Sequence, residues 1–247
     1  MNFLFKNMPP VTKNLLILNV IIWLLCALFP DFGKSMDRNC GLHYFLSPDF
    51  KVWQPLSYMF MHANFSHLFM NMFGVLMFGT LIERVFGPKR YLVFYISVGI
   101  GAALIQFGVY FAMISYYAAQ LPGIDLTELA NKGAELLADG LNWRDEPLSS
   151  LNALINVPIV GASGALFGVL LAFGVLFPNI PMYIMFIPIP IKAKWLVLSY
   201  GVIELLLGVT GLQSNVAHFA HLGGMLVAFV LIQYWRHKGL INRGPFY

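Results

Sequence analysis

The chain has 247 residues, of which 59% are hydrophobic and 11% are charged, and its mean hydropathy is +0.73. A soluble domain carries about 25% charged residues, so this composition excludes an ordinary soluble enzyme and indicates a protein embedded in lipid. The formal net charge is +4, and the sequence has no basic cluster suited to nucleic acid.

Long apolar runs recur along the chain without period-two alternation, which favours membrane-spanning helices over a β-barrel. They predict six spans, at roughly 13–29, 61–82, 91–117, 160–177, 195–212 and 216–235. The polar stretches are too short to bury a further core. We therefore expect an all-α membrane protein with one six-helix domain over residues 1–247, including short tails at about 1–12 and 236–247. No small-residue cleavage site clearly follows the first span, so we expect it to be retained.

Basic residues alternate between the two sides of the predicted bundle. They are Lys6 and Lys13 before span 1, Arg84, Lys89 and Arg90 after span 2, Lys192 and Lys194 after span 4, and Arg236, Lys238 and Arg243 after span 6. Under the positive-inside rule this pattern predicts that both termini are cytoplasmic. The segment 118–159, on the other side, is acidic.

The connecting segments differ in character. Segment 30–59 is rich in aromatic residues and is expected at the outer membrane interface. Segment 118–159 predicts one short surface helix, because Asp125 and Glu128 resemble a capping box. The four prolines between residues 177 and 195 exclude a regular helix there.

Polar side chains share one depth in the even-numbered spans, all of which run from outside to inside. Their outer ends hold His62, His67 and Asn71 in span 2, Ser163 in span 4, and His218 and His221 in span 6. Intramembrane ionisable residues are costly and usually mark function. The convergence therefore predicts a functional site near the outer surface.

The residue types suit nucleophilic catalysis. A serine hydroxyl such as that of Ser163 needs a hydrogen-bonded base, and histidine has a suitable pKa. His67 and Asn71 lie at i and i+4, so both can present donors to an oxyanion beside the serine. The helix that begins at Ser163 adds backbone N–H groups and the positive end of its dipole.

Small residues form a stripe on span 4 and another on span 6. They are Gly164, Gly168 and Ala172 on span 4, and Gly224 and Ala228 on span 6, the latter two in line with His221. Such stripes let helices approach closely in lipid. They favour His221 as the histidine that meets Ser163, whereas His218, beside Asn215, is expected to be solvated.

Each signal also has a structural interpretation. The small residues around Ser163 can pack helices, a membrane histidine can satisfy a backbone carbonyl, and Asn71 can join helices. We interpret Glu204 in span 5 as a hydrogen-bonded structural carboxylate, because no comparable residues accompany it in the sequence.

Three motifs together resemble those of bacterial rhomboid intramembrane serine proteases. They are "HANFSHLFMN" in span 2, "GASGALFG" in span 4 and "AHLGG" in span 6. The number and order of the spans also match, so the resemblance covers roughly residues 10–237. It implies a rhomboid-like bundle and an endopeptidase that cleaves in or near transmembrane segments of membrane proteins.

The resemblance also implies roles for individual residues. Ser163 is expected as nucleophile and His221 as general base, in a dyad without a carboxylate. His67 and Asn71 would stabilise the oxyanion together with the backbone of Ser163 and Gly161. Three further positions follow from it: His62 would support bound water, Glu83 and Arg84 resemble the family's acidic–basic pair, and Phe167 replaces a hydroxylated aromatic residue on which the base stacks.

The resemblance implies a multi-pass protein of the bacterial inner membrane. It implies no metal or cofactor, and its partners would be transmembrane substrates and the bilayer, with no nucleic acid. One alternative is a proteolytically inactive relative that binds membrane clients. Another is a metal or proton transporter that uses the membrane histidines, although Glu204 is the only carboxylate inside the predicted spans.

Overall fold

A computed structural model describes residues 8–183, 190–211 and 216–241. The membrane-type helices are α1 (Pro10–Leu28), α4 (Phe65–Gly74) continued through a π-helical segment (Val75–Gly79) into α5 (Thr80–Phe86), α6 (Pro88–Ala118), α9 (Ser163–Leu176), α10 (Ala193–Thr210) and α11 (His218–His237). The other elements are α2 (Pro30–Cys40), α3 (Gln54–Ser57), a 3₁₀ turn (Tyr58–Phe60), α7 (Leu126–Ala138), α8 (Leu148–Asn156) and the short strands β1 (Pro181–Met182) and β2 (Ile191–Lys192).

The prediction of an all-α membrane bundle is confirmed. Among the described residues, five helices are long and apolar enough to cross a membrane, counting Phe65–Phe86 as one helix. The sixth predicted span corresponds to α9, which is apolar but has only 14 residues. Helix α9 begins three residues later and ends one residue earlier than the predicted span 160–177. Residue 212, the predicted end of span 5, lies outside the described residues, as do Lys6, Asn215 and Arg243.

Helices α9 and α11 cross at positions that lack side chains. A Cβ atom at Gly224 would overlap the carbonyl oxygen of Gly164. A Cβ at Gly168 would lie 3.0 Å from the Gly224 carbonyl oxygen and 3.1 Å from the Ala228 Cβ. The predicted contact between the two small-residue stripes is therefore confirmed, and it brings the first turn of α9 against the first turns of α11.

The carboxylate of Glu83 joins the end of α5 to the start of α1. Its two oxygens accept hydrogen bonds from the backbone N–H groups of Val11 and Thr12 at 2.9 and 2.7 Å, and from the Thr12 hydroxyl at 2.8 Å. The first N–H groups of a helix have no partner within the helix, and a negative charge there is favourable. The structure thus shows Glu83, one member of the charged pair, as a cap on α1.

Segment 118–159 contains two helices, so the expectation of one short helix is wrong. Helix α7 begins where predicted, and the Asp125 side chain accepts from the Thr127 and Glu128 N–H groups. The sequence pattern did not indicate helix α8, because its buried face carries the polar residues Asn152 and Asn156 beside Leu151 and Ile155. Asn156 of α8 donates to the Ala130 carbonyl of α7 at 2.9 Å, which holds the two helices together.

The described part of the proline-rich segment, residues 178–183 and 190–192, contains no helix, in agreement with the prediction. Strands β1 and β2 pair antiparallel, with Pro181 opposite Lys192 and Met182 opposite Ile191. Pro188 lies outside the described residues.

Segment 30–59 exposes apolar rings of the kind that settle at a membrane interface, including those of Phe32, Phe45 and Trp53.

Candidate active site

A hydrogen bond joins the first residue of α9 to the second turn of α11. Ser163 Oγ and His221 Nε2 are 2.8 Å apart, although 58 residues separate them in sequence. Ser163 is half-buried and His221 is buried. The distance is that of a nucleophile and its base, so the geometry permits transfer of the hydroxyl proton to the imidazole.

The other ring nitrogen of His221 contacts a carboxylate. His221 Nδ1 lies 2.9 Å from Oε2 of Glu204, which α10 contributes. His218 Nδ1 lies 2.7 Å from the same oxygen. Two expectations are therefore wrong. Glu204 does not stand apart from the polar cluster, and His218 is 4% exposed and bonded to a carboxylate rather than solvated.

The face of the His221 ring is covered by an aromatic side chain. The rings of Phe167 and His221 have centroids 4.2 Å apart and planes 4° from parallel. Phe167 lies one turn after Ser163 on α9, so the helix that carries the nucleophile also holds the base in place. The expected stacking is confirmed, and it requires no phenolic hydroxyl.

His67 lies beside the loop that precedes Ser163. A Cβ atom at Gly161 would stand 2.7 Å from His67 Nε2 and 3.6 Å from Ser163 Oγ, and Gly161 has a φ of +131°. The position thus requires glycine, both for its backbone conformation and for the close approach of the imidazole. The Gly161 N–H donates to the Tyr58 carbonyl at 3.0 Å. Gly161 therefore provides room for His67, and its own N–H is not free to bind an oxyanion as expected.

Asn71 and His62 flank His67. The Asn71 side-chain amide donates to the His67 carbonyl at 2.9 Å and is buried, one turn further along the same helix. The ring of His62 lies edge-on to that of His67, with centroids 5.1 Å apart. The structure thus brings Ser163 together with His221 and with the Gly161–His67 contact, and Asn71 and His62 lie next to His67.

Glu204, His218 and His221 also have the composition of a metal-binding group. One ligand atom from each lies within 4.8 Å of the others. Carboxylate and imidazole ligands of this kind suit a divalent transition metal. The contacts of the two Nδ1 atoms with Glu204 Oε2, at 2.7 and 2.9 Å, are ordinary hydrogen-bond lengths. The arrangement is thus accounted for as a hydrogen-bonded network.

Comparison with known proteins identifies the group to which this site belongs. Residues 49–238 match the rhomboid domain family. The chain is 31% identical to the mitochondrial RHOMBOID-like protein 12 of Arabidopsis thaliana over 221 residues, covering 89% of this chain and 56% of that protein. It is 29% identical to the rhomboid protease AarA of Providencia stuartii over 240 residues, covering 91% of this chain and 72% of that protein.

A third relative is the mitochondrial rhomboid protein 1 of Saccharomyces cerevisiae, 26% identical over 238 residues, which cover 91% of this chain and 56% of that protein. The chain thus spans little more than half the length of the plant and yeast relatives. Because those relatives are mitochondrial, the narrower expectation of a bacterial member is not borne out. The match to the rhomboid domain covers residues 49–238, which is more than half of the chain. On this ground the chain belongs to the rhomboid family.

Proposed function

We propose that the protein is an intramembrane serine endopeptidase that cleaves peptide bonds in or near transmembrane segments of other membrane proteins. Ser163 is the nucleophile and His221 the general base. The observation that carries the proposal is the 2.8 Å contact between Ser163 Oγ and His221 Nε2, made between two apolar helices. A relative that matches over most of this chain is named a rhomboid protease, which supports the same activity.

In the proposed reaction, His221 Nε2 takes the hydroxyl proton as Ser163 Oγ attacks the carbonyl carbon of the scissile peptide bond. The tetrahedral intermediate collapses with cleavage of the C–N bond, and His221 returns the proton to the leaving nitrogen. A water molecule then attacks the acyl-enzyme, giving its proton to His221 Nε2. The acid product leaves, and Ser163 recovers its hydroxyl proton.

The oxyanion of the intermediate needs donors close to Ser163. The backbone N–H groups at the start of α9 have no partner within the helix and point toward this position. The further donors in this proposal are His67, whose ring lies against Gly161 beside the serine, and Asn71, whose amide has a second N–H besides the one that it donates to the His67 carbonyl. His62 supports bound water next to His67.

The cellular setting is also part of the proposal. The chain forms a single domain over residues 1–247 in an inner membrane, with both termini on the cytoplasmic side. Its partners are transmembrane substrates and the lipid bilayer. No step in the proposed reaction uses a metal or cofactor.

The test is cleavage of a transmembrane model substrate in liposomes by the full chain and by Ser163→Ala. Ser199→Ala is the matched control, because the Ser199 hydroxyl donates to the Leu196 carbonyl of its own helix. We expect Ser163→Ala to lose cleavage and fluorophosphonate labelling, and Ser199→Ala to keep both. Activity should persist with a metal chelator. Absence of labelling in the wild-type chain would favour a client-binding relative without protease activity.

A further inference from the structure

We infer that Glu204 is a positioning residue for His221, so that the site operates as a Ser163–His221–Glu204 triad and not as the dyad without a carboxylate that the resemblance implies. This inference rests on the proposed function and deepens it. The three groups make two consecutive contacts, from Ser163 Oγ to His221 Nε2 at 2.8 Å and from His221 Nδ1 to Glu204 Oε2 at 2.9 Å. The same order of contacts occurs in the Ser-His-Asp triads of serine proteases on unrelated folds.

With Glu204 ionised, the contacts are compatible with one tautomer of His221. An ionised carboxylate only accepts hydrogen bonds, so the Nδ1 atoms of His221 and His218 both carry protons that they donate to Glu204 Oε2. A neutral imidazole protonated at Nδ1 has a lone pair at Nε2. His221 can therefore accept the Ser163 hydroxyl proton without rearrangement, which is the state that a general base requires.

The negative charge of Glu204 has a second effect. His221 becomes an imidazolium when it takes the serine proton, and this cation forms 2.9 Å from a carboxylate oxygen. Glu204 and His221 are both nearly buried, with side-chain exposures of 12% and 10%. Charges interact strongly in such a site, so the carboxylate stabilises the transition state more than the ground state.

His218 holds the carboxylate in place. Its ring lies edge-on to that of His221 and it donates to the oxygen that His221 also contacts, one turn away on the same helix. The bond fixes the Glu204 side chain, which projects from α10, against α11. His218 therefore acts on the base through Glu204 and has no contact with Ser163 that the reaction requires.

The test compares Glu204→Gln, Glu204→Asp and Glu204→Leu with the wild-type chain and with Ser199→Ala, the control on the same helix. Glutamine keeps the size and an accepting oxygen but removes the charge. We expect kcat to fall by about 10- to 100-fold in Glu204→Gln, the effect of losing a hydrogen bond to a charged group, with KM unchanged. The kcat of Glu204→Leu should fall at least as far. Glu204→Asp keeps the negative charge, so its kcat should be higher than that of Glu204→Gln.

The measurements are kcat and KM on one transmembrane substrate, the rate of fluorophosphonate labelling of Ser163, and thermal unfolding. A purely structural role would lower the unfolding temperature without a selective loss in kcat. Wild-type kcat in Glu204→Gln, with Ser163 still required, overturns the triad and leaves the proposed protease intact. Equal cleavage by Ser163→Ala and wild type overturns the proposed function itself, and the triad with it.

Discussion

The aromatic ring of Phe167 lies flat on the imidazole of His221, with the two planes 4° from parallel. We expect Phe167→Tyr to keep wild-type turnover, because the stacking surface is unchanged. Phe167→Leu should lower kcat about two- to tenfold, since a stacked aromatic pair contributes about 0.5–1.5 kcal/mol beyond burial. Turnover of both variants on one substrate is the measurement, and equal activity of Phe167→Leu and wild type would contradict a role for the stack.

The two histidines of α11 should differ in their effect. His221→Ala should abolish both cleavage and fluorophosphonate labelling, because Ser163 then has no base. His218→Ala should keep at least about a tenth of the activity, since it removes one hydrogen bond to Glu204 and leaves the His221 contact in place. Both purified variants are assayed after their folding has been compared by thermal unfolding. An inactive His218→Ala together with an active His221→Ala would show that the base is assigned to the wrong residue.

Asn71 should act mainly on turnover. Loss of one oxyanion donor typically costs about 10²–10³ in rate, and we expect Asn71→Ala to lower kcat by that amount with little change in KM. Asn19→Ala is a matched control, because Asn19 is also buried and its amide donates to the carbonyl four residues earlier, Leu15, at 2.8 Å. Equal kcat values for the two variants would mean that Asn71 has a packing role and does not stabilise the oxyanion.

Gly161→Ala should damage the site through His67. The added Cβ would stand 2.7 Å from the His67 ring nitrogen, and φ at this position is +131°. Such a backbone conformation costs a residue other than glycine about 1–3 kcal/mol, so both thermal stability and the rate of Ser163 labelling should fall. Gly108→Ala is the control, because a Cβ there meets nothing within 4 Å. A Gly161→Ala protein that labels at the wild-type rate would show that the position of His67 does not matter.

Glu83 should contribute to stability rather than to chemistry. Glu83→Gln removes the negative charge of the carboxylate that accepts hydrogen bonds from the Val11 and Thr12 N–H groups. A hydrogen bond to a charged group contributes about 1.5–3 kcal/mol to the free energy of unfolding. We expect a lower unfolding temperature in detergent for Glu83→Gln and no change for Glu135→Gln, whose side chain is exposed on α7. Unchanged stability of the Glu83 variant would count against the cap on α1.

The sequence predicted the helices and the contact between Ser163 and His221 because both follow from regular patterns. Apolar runs indicate where the spans lie, and small residues indicate where α9 and α11 approach most closely. These patterns depend only on neighbouring positions along the chain. They were sufficient to distinguish His221 from His218.

The contact between Glu204 and the two histidines was not predicted, because Glu204 lies in an odd-numbered span, whereas the other polar residues share the outer ends of the even-numbered spans. In the predicted orientation span 5 ends at the outer side, and Glu204 lies six residues before Thr210, where α10 ends. That placement puts it at the depth of the two histidines. The rotation of α10 about its axis, which turns the carboxylate toward α11, follows from side-chain packing and not from any sequence period. The second helix of segment 118–159 was missed for a similar reason, because contacts such as that between Asn156 and Ala130 fix it.

The short length of α9 determines how far Ser163 lies from the membrane surface and therefore from water. Its 14 residues rise about 21 Å, whereas the hydrocarbon core of a bilayer is about 30 Å thick. In the proposed orientation, with the end of α9 nearest Lys192 and Lys194 at the cytoplasmic boundary, Ser163 lies about 9 Å below the opposite boundary. In the proposed reaction, hydrolytic water must then enter from the outer side and pass about 9 Å below the membrane boundary, a depth that varies with the thickness of the surrounding membrane.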